Sequence, residues 1–152
     1  GGLLLGICNG FQILCEAGLL PGALLHNNNQ KFICKNTFLK ACSDSAGITE
    51  NVNKNKAYKI PIAHGEGRYY AEIDVVEGLF EKDQVLFQYC DLNGNVSEDD
   101  NPNGSLQNIA GVSNKNKNVM GMMPHPERAV EPLLGNTDGV PLFQSLLNSS
   151  KS

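Results

Sequence analysis

The 152-residue sequence lacks several features that would otherwise set its class. No stretch approaches the roughly 18 consecutive apolar residues of a membrane span, and no segment reads as a signal peptide. Basic residues are not in excess. Twelve Lys and Arg stand against sixteen Asp and Glu, a formal charge of −4. That balance gives no reason to expect nucleic acid or an anionic membrane surface. The five cysteines, Cys8, Cys15, Cys34, Cys42 and Cys90, are odd in number and never spaced C-x-x-C. The pattern argues against a disulfide framework or a zinc site and for a reducing compartment, which makes a cytoplasmic location the expectation. Cys15, Cys34, Cys42 and Cys90 read as small, idle thiols. There is no internal repeat, low-complexity tract or linker, and no initiator Met.

What is there begins at once. Leu3-Leu4-Leu5-Gly6-Ile7 is an apolar run that ends in Cys8 and turns into Asn9-Gly10-Phe11-Gln12-Ile13-Leu14. This reads as strand, nucleophile, helix. Gly6-x-Cys8-x-Gly10 is the cysteine counterpart of the G-x-S-x-G elbow. Such a turn holds its central residue in a sparsely populated backbone region, and the flanking glycines let strand and helix approach. The side chain then stands near the free N–H groups of a helix start. That position is expected to lower a thiol pKa and to supply donors for an oxyanion. The first dozen residues therefore point to a cysteine that attacks a carbonyl.

Further along, a helix is predicted over Gly10–Ala17, with Phe11, Leu14 and Cys15 on one face. Gly18 is its stop and Pro21-Gly22 a turn. Lys31–Lys40 reads as a strand, and Ser43–Lys59 as a loop or exposed connection. Ile60–Ala63 is a short strand ending in the flexible turn His64-Gly65-Glu66-Gly67-Arg68. Tyr69–Val75 and Gln84–Tyr89 read as strands, and Gly94–Gly104 as a loop. Ile109–Val112 and Val119–Met123 form a hairpin. Asp138–Leu147 is a final helix with Leu142, Phe143, Leu146 and Leu147 on its apolar face. The mixture is α/β.

A cysteine nucleophile needs a base, and the base an orienting group. His125 sits in Met123-Pro124-His125-Pro126-Glu127-Arg128, where the prolines enforce an extended chain. Residues i and i+2 then share a face, so Glu127 can approach one ring nitrogen while the other faces a thiol. His64-Gly65-Glu66 is a competing His-x-Glu, and physics favours His125 because Gly65 leaves that segment flexible. His26, among three asparagines, reads as a solvated loop residue. Gln12 lies one helical turn after Cys8 and leans back toward it. It reads equally well as a substrate contact and as a surface glutamine.

These residues resemble the class I (triad) glutamine amidotransferases, which pair a G-x-C-x-G-x-Q elbow with a later His-x-Glu. Leu20–Leu24, Ile60–Tyr69, Asn101–Leu106, Asn108–Gly111 and Gly121–Ala129 extend the likeness, within that class, to the glutaminase subunits of phosphoribosylformylglycinamidine synthase. The resemblance implies a flavodoxin-like class I amidotransferase domain spanning residues 1–152, running from the elbow strand to the last helix, with the leading strands and helices absent. It implies that Cys8 attacks the carboxamide of L-glutamine, that His125 oriented by Glu127 moves the proton, and that the γ-glutamyl thioester is hydrolysed. Asn9 would supply one oxyanion N–H, and a glycine-containing loop upstream of the elbow strand the other. Gln12, His64 and Gly65 would contact the bound glutamine. It further implies that the ammonia goes to an ATP-dependent synthase subunit, assisted by a small bridging subunit, for amination of formylglycinamide ribonucleotide in purine synthesis. No cofactor or metal is expected in the chain itself, since ATP and Mg belong to the synthase. Two other readings stand beside this one: a cysteine hydrolase or different amidotransferase of similar fold, and a non-catalytic fragment or interaction-only subunit.

Replacing the two histidines separates the candidate bases. His125→Ala is expected to abolish glutamine hydrolysis, and His64→Ala to reduce kcat far less. The reverse order would move the base to His64.

Overall fold

The computed structural model describes residues 2–151. Its strands are β1 (Leu4–Ile7), β2 (Ala23–Leu25), β3 (Ile33–Ala41), β4 (Ala57–His64), β5 (Arg68–Tyr70), β6 (Val85–Cys90), β7 (Ile109–Ser113) and β8 (Val119–Met122). The helices are α1 (Asn9–Glu16), α2 (Ile73–Glu81) and α3 (Val140–Ser150). Among the described residues six strands form one sheet in the order β1-β8-β7-β6-β3-β4, and β2 pairs with β5 separately. Only β1 and β8 run parallel, and the other pairs of the large sheet are antiparallel.

Two apolar clusters hold these layers together. One packs Leu39, Ile60, Ile62, Leu86, Met120 and Met122 against Leu142 of α3 and Ile48 of the 43–56 segment. The other packs Phe11 and Leu14 of α1 with Tyr69, Val76, Leu79, Val85, Ile109 and Val112. The Phe11 and Tyr69 rings stack with centroids 6.0 Å apart. Burying an aliphatic or aromatic side chain of this kind contributes about 1.5–3 kcal/mol.

The sheet curls until its far edge returns toward β1. The Pro61 carbonyl of β4 accepts a hydrogen bond from the His125 amide (2.8 Å), and the Ala63 carbonyl accepts a weak one from the Cys8 thiol (3.8 Å). Pro61 suits this edge position because it has no N–H to offer a further strand.

Several sequence expectations are corrected. Tyr69–Val75 is not one strand: β5 stops at Tyr70 and α2 starts at Ile73. The β-branched Ile73, Val75 and Val76 favour a strand locally, but burial of Val76 and Leu79 at helical spacing decides the matter. The 43–56 segment is not an exposed connection. Ser43, Ala46, Ile48, Thr49 and Val52 are buried, and Ser145 of α3 ties the segment down by donating to the Gly47 carbonyl (2.7 Å) and accepting from the Asn51 amide (2.9 Å). Ser145 takes the place in the α3 face that Leu147, which is exposed, was expected to hold. The elbow's two glycines also differ. A Cβ on Gly6 would lie 2.6 Å from the Gly10 carbonyl carbon, whereas one on Gly10 would meet nothing within 4 Å.

The last difference yields a paired test. Gly6→Ala is expected to cost about 2–3 kcal/mol, because the clash is with backbone that cannot rotate away. Gly10→Ala is expected to cost nothing and to add up to about 1 kcal/mol of helix preference. Urea midpoints of the two variants check this, and equal midpoints would refute it.

Candidate active site

The parallel pairing of β1 and β8 sets Ile7 against Met122. Both strands therefore end together, and the residues that follow them meet. The Cys8 amide donates to the Met122 carbonyl (2.8 Å). Cys8 itself adopts φ 55° and ψ −108°, a conformation that L residues rarely take, and it caps α1. It is held there by that amide bond, by its own carbonyl accepting from Gln12 (3.1 Å) and by the Gly6 contact beneath it.

Three residues past Met122 lies His125. Its Nδ1 is 2.5 Å from Oε1 of Glu127. Contrary to the expectation from the prolines, the chain is not extended through this pair. It leaves the extended region at His125 and makes a short 3-10 turn over Pro126–Arg128. That turn lets the carboxylate fold back onto the ring. With Nδ1–H given to Glu127, Nε2 carries the lone pair, and this buried Nε2 has no hydrogen-bond partner among the described residues. Cys8, Asn9, Gln12, His64, Gly65 and His125 line one pocket of about 390 Å³. The structure thus brings all the predicted site residues together, with Glu127 directly behind His125.

The Cys8 thiol is not a ready thiolate. Burial pushes its pKa up, and this outweighs the opposing pull of the Asn9 N–H and of the Arg128 charge. Expectation from the helix start alone omitted that desolvation. The site rests with a protonated thiol, an unoccupied imidazole nitrogen and a backbone N–H directed at the sulfur. This is the set needed for nucleophilic attack on a carbonyl carbon. Among the described residues no group of three or more His, Cys, Asp or Glu could hold a metal ion, and no helix is long and apolar enough to cross a membrane.

Residues 1–139 match the CobB/CobQ-like glutamine amidotransferase domain. The chain belongs to this family. Relatives include phosphoribosylformylglycinamidine synthase subunits PurQ from Chlorobium luteolum (53% identical over 94% of this chain and 62% of the relative) and Pelagibacter ubique (52% identical over 99% and 66%). That of Aquifex aeolicus is 53% identical over 97% of this chain and 65% of the relative. The structure of PurLQS from Thermotoga maritima superposes with a TM-score of 0.80 at 47% identity, covering 97% of this chain and 61% of that one. The chain therefore spans somewhat less than two thirds of the length of these relatives.

His64 has a different part in this amidotransferase domain from that of a free base. Its Nδ1 meets Oδ1 of Asn27 (3.2 Å) and its Nε2 meets Nδ2 of Asn103 (3.4 Å). Asn27 also accepts from the Gly67 amide (3.2 Å) and donates to the carbonyls of His64 (2.8 Å) and Lys31 (2.8 Å). All four hydrogen-bonding positions of that amide are in use. Asn103 in turn donates to the Gly67 carbonyl (2.9 Å). Gly67 lies so close under the imidazole that a Cβ there would be 2.4 Å from the ring. The turn after β4 is therefore rigid, although its composition reads as flexible. Neither asparagine was legible as a site residue, because they sit 37 and 39 positions from His64 in segments that read as solvated loops. Glu66, named in the sequence only as the acid of the competing His64-Gly65-Glu66 pair, and Phe32, in a segment that reads as a strand, also stand on the pocket wall. His26 is exposed, as expected, but it reaches Oε1 of Glu66 at 3.5 Å.

Burial lowers the His64 pKa from 6.5 to about 4, and the nearby His125 adds to this. Between those values the unfolded chain holds the proton and the folded one does not, so stability is lost as pH falls through that window. The loss from pH 6.5 to about 4 is expected to be on the order of 3 kcal/mol. Urea midpoints across the window check this, and His64→Gln should flatten the slope. An equal slope in the variant would mean that His64 is not held neutral.

Proposed function

We propose that this chain is the catalytic portion of a glutaminase subunit of phosphoribosylformylglycinamidine synthase. The observation that carries the reading is the divided imidazole of His125: one nitrogen is held by Glu127, and the other is buried without a partner in the pocket of Cys8. Names of relatives at 51–53% identity supply the reaction.

Nε2 of His125 takes the thiol proton as the Cys8 sulfur bonds to the carboxamide carbon of L-glutamine. The carbonyl oxygen gains the electron pair and is met by the Asn9 N–H. The intermediate collapses with cleavage of the C–N bond, and the imidazolium gives its proton to the departing ammonia. Water then attacks the γ-glutamyl thioester while His125 takes one of its protons. That proton returns to the sulfur as glutamate leaves. Glu127 stabilises the imidazolium in both halves. Gln12, His64 and Gly65 form the wall against which the glutamine lies.

The ammonia is passed to an ATP-dependent synthase subunit for amination of formylglycinamide ribonucleotide, and a small bridging subunit completes the assembly. The PurLQS name of the solved relative supports such partners. ATP and Mg serve the synthase, and the glutaminase chain works without a cofactor of its own. The unpaired thiols of all five cysteines fit a cytoplasmic enzyme.

The test uses the full-length subunit assembled with its synthase. Cys8→Ser is expected to abolish glutamine-dependent amination and to leave ammonia-dependent amination intact. Loss of both activities would show that the subunit acts through assembly.

A further inference from the structure

Two charged side chains stand on the wall of the Cys8 pocket without a part in the chemistry, and they are opposite in sign: Glu66 and Arg128. Among the described residues that line the pocket, they are its one carboxylate and its one guanidinium. Glu66 lies on the turn that Asn27 and Asn103 fasten through Gly67. Its Oε2 accepts from Nε2 of Gln12 (3.0 Å), and its Oε1 faces His26 (3.5 Å). Each oxygen has one such neighbour and retains a further lone pair. The side chain is 46% exposed, so a ligand in the pocket can reach it. The Arg128 guanidinium makes no hydrogen bond or ion pair among the described residues, and only its backbone amide is engaged, donating to the His125 carbonyl (3.1 Å).

Distance ties Glu66 to the nucleophile. Gln12 is four residues past Cys8 on α1, a rise of about 6 Å. In L-glutamine the carboxamide carbon and the α-nitrogen are about 5 Å apart when extended, from ordinary bond lengths. The two spans are comparable, and Cys8, Gln12 and Glu66 line the same pocket. A carboxylate with lone pairs to spare at that point is the complement of a cation, and Arg128 gives the remaining wall the charge that an α-carboxylate requires.

We propose that Glu66, held in place by Gln12 and His26, binds the α-ammonium group of the substrate and makes the pocket selective for a zwitterionic amino acid over a simple amide. This rests on the glutaminase reading above. Glu66 determines specificity and takes no part in proton transfer, so its loss should appear in KM and not in kcat.

The test compares wild-type and Glu66→Gln full-length subunit, each assembled with its synthase. The substrates are L-glutamine and glutaramate, the same amide without the α-amino group. Loss of a charge-assisted hydrogen bond is expected to raise KM for glutamine about 10–100-fold, with kcat little changed. KM for glutaramate should be the same in both proteins. Iodoacetamide, a neutral electrophile without an amino group, should label Cys8 at equal rates in both, which shows an intact pocket. An unchanged KM for glutamine, an equal rise for both amides, or slowed labelling by iodoacetamide would overturn the assignment while leaving the glutaminase reading in place. A wild-type complex that releases no ammonia from glutamine would overturn both.

Discussion

The hydrogen bond from the Cys8 amide to the Met122 carbonyl, 2.8 Å long, is the joint on which the site depends. It continues the parallel register of β1 and β8 by one residue beyond the strand ends. Cys8 and the segment bearing His125 are then laid side by side, although 117 positions separate them. That bond fixes the peptide plane before Cys8 while the close approach of Gly6 and Gly10 fixes α1 after it, so the φ of 55° cannot relax without moving the helix. Gly6 makes the geometry possible by allowing α1 to start directly over β1. A parallel pair within an otherwise antiparallel sheet is what aligns two C-terminal strand ends, and ligand sites in open α/β sheets gather at such ends.

Sheet curvature supplies the third wall. β4 lies at the opposite edge from β1, yet its carbonyls at Pro61 and Ala63 receive bonds from His125 and Cys8. The pocket is thus enclosed by both edges of one sheet. Burial of the thiol follows from this closure, and it favours the protonated sulfur. The two histidines that share the region are told apart by their partners. One has both nitrogens engaged by asparagine amides and cannot accept a proton without breaking a buried network. The other has one nitrogen fixed by a carboxylate and one left open.

Much of the site was legible before any coordinate. Gly6-x-Cys8 announces an elbow through spacing alone, and His125-Pro126-Glu127 announces a histidine with a nearby carboxylate. The 3-10 turn there changes the path of the chain but not the meeting of the two side chains. The β7–β8 hairpin and α1 were legible because they rest on local periodicity. The helix α2 was not, because its β-branched start disguises a stripe that only burial reveals. The 43–56 segment looked solvated because Ser, Asn and Lys dominate it, while its few apolar residues, Ala46, Ile48 and Val52, turn inward.

The sequence by itself determined the elbow that presents Cys8, the His-x-Glu spacing and the α/β character. Each of these is written in neighbours a few residues apart, where sterics and periodicity act directly. Only the tertiary structure decided that the thiol is desolvated, that His64 is locked by Asn27 and Asn103, and that Glu66 meets Gln12, one helical turn past Cys8. Those facts depend on which segments the curled sheet brings into contact. Burial and hydrogen-bond satisfaction are properties of that closure and are not contained in any window of the chain.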